Sequence, residues 1–118
     1  MRRYAIAVCL LLTSTAAQAV GLVWLLGNDL ERKCNASAQD YFALGDCAGY
    51  VTAVADMMSQ PEWPYSQQAK ACLVSSIERG QLVAVVKRYV AAHPEQLHFT
   101  AFSVVAVALA QAFPCSGR

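Results

Sequence analysis

The side chains with the most chemical potential are five cysteines, two histidines flanking a carboxylate, and one aspartate set among apolar residues. Cys9 sits in the N-terminal apolar run, which leaves an even set of Cys34, Cys47, Cys72 and Cys115. Zinc would require close pairs such as C-x-x-C, and these four are spaced far more widely. An even count in a short exported chain points instead to disulfides formed in an oxidising compartment. His93, Glu95 and His98 surround a Pro-Glu turn in HPEQLH. Two histidines and one carboxylate with no nucleophile and no further ligand favour a capping or backbone-bonding role over a metal site. Asp56 interrupts AGYVTAVADMM and is expected either at the solvent edge or buried against a partner. Catalytic signatures are absent: there is no HExxH, no GxSxG, no phosphate-cradling glycine loop and no carboxylate cluster. Neither catalysis nor a cofactor or metal is expected.

The elements that must position these groups follow from composition and pattern. The chain has 118 residues, room for one small domain, with 57% hydrophobic and 14% charged residues. Part of that apolar excess lies in a leader. Met1-Arg2-Arg3 is basic, YAIAVCLLL is a short apolar run, and TSTAAQA ends in small residues suited to cleavage after Ala19. This is the pattern of a secretory signal peptide over residues 1–19, with a domain over 20–118. The VGLVWLLG that follows extends the apolar run and makes a retained anchor the second reading. Two of the nine Lys and Arg residues lie in the leader, against eight Asp and Glu elsewhere, so the remainder is close to neutral. Dispersed cations and near-neutral charge argue against nucleic acid as a partner.

Helical periods account for the rest, which predicts an all-α fold, a small disulfide-stapled bundle of about four helices. Asn28-Asp29-Leu30-Glu31 has the form of a capping box opening a short helix toward Cys34. Ser37 to Asp40 opens a second helix, with Tyr41, Leu44, Ala48, Val51, Val54 or Ala55, and Met58 on one stripe, ending near Gln60 before Pro61 and Pro64. Ser75-Ser76-Ile77-Glu78 opens a third, with Leu82, Val85, Val86, Tyr89 and Val90 on its inner face, stopped by His93-Pro94. Thr100 caps a fourth, which carries Phe102, Val105, Leu109 and Ala112 and stops at Phe113-Pro114. Four cysteines allow three pairings. If the third and fourth helices form an antiparallel hairpin, Cys115 returns to Cys72, and the same reasoning places Cys34 beside Cys47 across a short connection. The run from Phe99 to Phe113 is broken by Thr100, Ser103 and Gln111 and falls short of the roughly 20 residues of a membrane span, so it is expected in a core.

Trp63 and Tyr65, in the proline-containing loop QPEWPYSQQ, are candidate partner contacts. Rigid aromatics on a loop supply contact area at low entropic cost. The other reading of Trp63 is a lid folded back over the small core.

Several of these pieces occur together in an order that resembles one family. Gly27-Asn28-x-Leu30 precedes Cys34, Cys47-Ala48-Gly49-Tyr50-Val51 precedes Asp56, and Cys72 and Gln81-Leu82 lead into Val85-Val86-x-x-Tyr89-Val90. His93-Pro94-Glu95-x-Leu97-His98 and a closing Phe113-Pro114-Cys115 complete the series. The arrangement resembles the Rap/Tai immunity proteins of bacterial type VI secretion systems. The resemblance implies a periplasmic, helical, disulfide-bonded protein that binds a secreted peptidoglycan amidase toxin and covers its active-site cleft, as a homodimer. It also implies that Gly49, Tyr50, Asp56, Gln81, His93, Pro94 and Ala101 form a structural signature. The alternative from a different class is another small disulfide-bonded helical binding protein or a periplasmic acid-stress chaperone, the last of which needs titrating carboxylates that a chain this lean in charge supplies poorly.

Overall fold

Four segments, each with an apolar face to cover, become helices. The structure, a computed structural model, describes residues 25–66 and 69–115, so the expected leader over 1–19 lies outside the described residues. Helix α1 spans Gly27–Cys34, α2 Tyr41–Met58, α3 Arg79–Ala92 and α4 Ala101–Ala112, with a 3-10 turn over Pro94–Gln96 between α3 and α4. Each helix touches the other three. Among the described residues there are no strands, only isolated bridges pairing Leu26 with Thr100 and Ala71 with Pro114. The fold is all-α, as its periodicity predicts.

With eight residues, α1 is too short to be stable alone and depends on its neighbours. It starts after Leu26, ahead of the expected Asn28 cap. The reason is tertiary. The first N–H groups of a helix have no partner within it. Here Gly27 N–H donates to the Phe99 carbonyl and Asn28 N–H to the Leu97 carbonyl, both at 2.9 Å, so the chain entering α4 supplies the cap. Leu26 N–H donates to the Asp29 carboxylate at 3.2 Å. Arg32, at 2.6 Å, and then this N–H hold the Asp29 carboxyl below the ordinary carboxylate range. Gly27 is required by this approach: a Cβ there would lie 2.8 Å from the Leu97 carbonyl oxygen.

Asp40 caps α2, its carboxylate accepting the Ala43 N–H at 3.0 Å. Cys47, Val51, Val54, Ala55 and Met58 are buried, but Tyr41, expected on the same stripe, is 80% exposed. The Cys34–Cys47 disulfide, with Cα atoms 5.1 Å apart, and the Lys33–Asp46 ion pair at 2.7 Å place the end of α1 against the second turn of α2. The first turn of α2 therefore projects past its neighbour.

Helix α3 begins at Arg79, later than the serine pair suggests. Cys72 N–H donates to the Phe113 carbonyl at 2.8 Å beside the Ala71–Pro114 bridge, which draws the chain out, and Val74 to Ile77 closes as a turn. Glu78 then becomes the N-cap, its N–H accepted by the Gln81 side-chain oxygen at 2.8 Å. Leu82, Val86 and Val90 face the core, and the helix stops before His93-Pro94. The Cys72–Cys115 disulfide, with Cα atoms 5.0 Å apart, closes the end of the bundle beyond α4.

Thr100 caps α4, accepting the Ser103 N–H at 3.2 Å. This helix is buried over more than one face, at Ala101, Val104, Val105, Ala106, Ala108 and Leu109, as suits an apolar helix packed against three others. It has 12 residues. No helix among the described residues is long and apolar enough to cross a membrane.

Candidate interaction surface

Of the two loop aromatics, Trp63 turns inward and is 6% exposed, whereas Tyr65 stays 54% exposed. Trp63 thus serves the core and is not a surface anchor in the free chain. Its ring lies 4.9 Å from Tyr65 and 6.1 Å from Phe102, and Tyr65 lies 5.8 Å from Phe102. These tilted contacts are within the range where aromatic pairs attract beyond simple burial. Phe102 comes from the first turn of α4, so the loop is pinned to that helix. The Trp63 indole N–H is buried with no acceptor among the described residues.

The signature positions divide into two groups. Gln81 caps α3, His93 ends it, Pro94 opens the 3-10 turn and Ala101 is fully buried at the start of α4. Gly49 and Asp56 lie on the exposed side of α2, and Tyr50 is half-buried. Asp56 is therefore a surface charge and not the buried partner of a core group. Burial pushes the Tyr50 phenol up, opposed by its contact with the Phe102 backbone.

At the turn, His93 Nδ1 lies 3.0 Å from the Glu95 carboxylate and its ring stacks on Tyr89 with centroids 4.4 Å apart. The Glu95 carboxyl is held below its ordinary range by its own backbone N–H and then by His93. Burial first, and the Glu95 charge second, push the Tyr89 phenol up. His98 is remote from this pair in role: it is exposed and stacks on Phe99 at 4.1 Å. Among the described residues no group of three or more His, Cys, Asp and Glu could hold a metal ion.

Three of the shallow clefts on the described surface adjoin these groups. One of about 350 Å³, bordered by Ser66, Ala69, Val107 and Gln111, adjoins the aromatic loop. A second of about 250 Å³ lies between α3 and α4, rimmed by Arg88, His93 and Gln111. A third of about 450 Å³ lies beside α2 at Gly45, Gly49 and Tyr50. Sequence reasoning missed Phe42, which like Tyr41 is 80% exposed. The short reach of α1 along α2 leaves it uncovered.

Exposed aromatics on stapled elements beside open clefts are features that protein interfaces use. A family model for Rap1a immunity proteins matches residues 26–115, from the cap of α1 to the last cysteine. The chain belongs to that family. No curated protein and no solved structure matches it. As a Rap1a immunity protein, its expected partner is a toxin, and both disulfides lie within the matched span.

Proposed function

We propose that this Rap1a immunity protein binds a type VI secreted peptidoglycan amidase in the periplasm and blocks its active-site cleft, protecting the cell from its own toxin and that of its siblings. The family match over residues 26–115 carries this reading. Two disulfides suit an oxidising compartment, and they leave a rigid scaffold whose part in the reaction is steric. Tyr65, held in place by Trp63 and Phe102, is the exposed aromatic offered to the toxin. Co-expression in the periplasm with the amidase encoded beside it is expected to prevent lysis, and continued lysis rejects the assignment.

The same reading includes a homodimer. Tyr41, Gly45, Gly49, Ala53 and Met57 recur every fourth residue along α2, all exposed, so small residues form a shallow trough between two large apolar ends. A helix from a second copy can approach such a row closely. A Cβ at Gly49 would meet nothing within 4 Å, so substitution there spares the protomer fold. Gly49→Glu is expected to give a monomer in size-exclusion chromatography with light scattering while keeping the helical circular dichroism. A dimer that persists would remove α2 from the interface.

A further inference from the structure

Charge is segregated between helices in a way that the immunity reading does not itself require. In α2 there are Asp46 and Asp56 and no basic residue; in α3 there are Arg79, Lys87 and Arg88 and no acidic residue. Among the described residues, the remaining Lys and Arg side chains are engaged elsewhere: Arg32 with Asp29, Lys33 with Asp46, and Lys70 with the Gln60 carbonyl at 3.2 Å. None of the three α3 cations has an ion-pair partner among the described residues. A helix face that is merely solvated tends to alternate its charges at three- and four-residue steps. Here every position three or four residues from Arg79, Lys87 and Arg88 is apolar or serine. The acids nearest in sequence are Glu78 at the N-cap and Glu95, already bonded to His93.

The ground between these cations is low. Gly80, Ala84 and Ala91 are exposed on α3, so a partner surface can come close to the helix. At the far end of the helix lies the 250 Å³ cleft, with Val85, Ala108 and Ala112 inside a rim of Arg88, His93 and Gln111. Ligand pockets for drug-sized molecules run from roughly 300 to 1,000 Å³, so this one suits a single inserted side chain. The stack on Tyr89 and the bond from Nδ1 to Glu95 fix the His93 ring. A guanidinium and a primary amide beside apolar side chains, with the His93 ring as a fixed wall, match a carboxylate carried on a short apolar stem. Gln111 also borders the apolar cleft near Tyr65, so the charged notch and the aromatic loop share an edge. An apolar centre beside a charged margin is the usual anatomy of a protein interface.

From this arrangement we infer that the α3 face and the Arg88 notch receive an acidic segment of the toxin, with one carboxylate seated against Arg88 and the other α3 cations steering its approach. The inference rests on the immunity reading and names the partner chemistry of its surface. The toxin footprint then runs from Tyr65 across Gln111 to α3, and its facing surface is acidic.

The test measures association of the wild type, and of K87E/R88E, with a catalytically inactivated form of the amidase encoded beside this chain, by biolayer interferometry at low and high salt. The expected result is a wild-type association rate that falls with salt, and a rate reduced about tenfold or more in K87E/R88E at low salt, as electrostatic steering predicts. Arg88→Lys keeps the charge without the planar fork, so it is expected to retain the fast association but to dissociate faster. Lys70→Glu, which reverses a charge engaged elsewhere, is expected to change the association rate far less. Lys87 and Arg88 are exposed and Lys70 is half-buried, and unchanged helical circular dichroism confirms the fold of each variant. Association of K87E/R88E at the wild-type rate with no salt dependence overturns the inference. A wild type that fails to bind the amidase rejects the immunity reading instead. Binding of phosphatidylglycerol-containing vesicles by the wild type and not by K87E/R88E would assign the face to a membrane surface and overturn the protein partner.

Discussion

Removing the Cys72–Cys115 bridge by Cys72→Ser with Cys115→Ser is expected to lower the unfolding free energy by about 4 kcal/mol, against about 3 kcal/mol for loss of Cys34–Cys47. The difference follows from chain entropy: the first bridge closes 43 residues and the second 13, and the longer loop takes more freedom from the unfolded chain. The longer bridge also closes the fold where no helix does so. Residues 71–72 and 113–115 are joined by one bridge pair and the Cys72–Phe113 hydrogen bond, so without the disulfide the end of α4 and the chain entering α3 can separate. For a domain of total stability about 5–15 kcal/mol, such a loss leaves little margin. Urea denaturation of the two double variants, compared with the wild type, gives both values. A larger loss from Cys34–Cys47 would show that native contacts around α1 outweigh loop entropy.

Leu30→Ala is expected to cost about 3 kcal/mol, the scale of large-to-small changes at fully buried positions. Leu30 is 0% exposed and is the only large residue that α1 buries, between Gly27 and Cys34. Its truncation leaves a short helix held by a disulfide at one end and two backbone hydrogen bonds at the other. Amide exchange at Gly27 and Asn28 is therefore expected to accelerate along with the fall in global stability. A loss below about 1 kcal/mol would mean that α1 stands outside the cooperative core.

Much of this architecture was legible because it depends on near neighbours in the chain. Thr100 caps α4 through Ser103, and His93-Pro94 ends α3, since both effects act within one turn. The places where reading the residues went astray share one cause. The first turn of α1 opens at Gly27 because the Leu97 and Phe99 carbonyls take its first donors, and α3 opens only at Arg79 because residues 71–72 pair with 113–114 and Val74 to Ile77 then closes as a turn. Trp63 is a loop residue by sequence and a core residue by contact, because Phe102 of α4 lies where its ring can reach.

For the interaction surface the balance shifts further toward tertiary structure. Apolar periodicity, proline stops and an even set of cysteines determined by themselves an all-α stapled chain with no evident catalytic constellation, since each is a property of the chain read along its length. The cations of α3 read as dispersed along the sequence. Only folding brings α4 beside α3, so that Arg88 and His93 share a rim with Gln111. The exposure of Tyr41 and Phe42 was decided the same way, by how far α1 reaches along α2. Burial and juxtaposition depend on residues distant in the chain, and no local pattern encodes them.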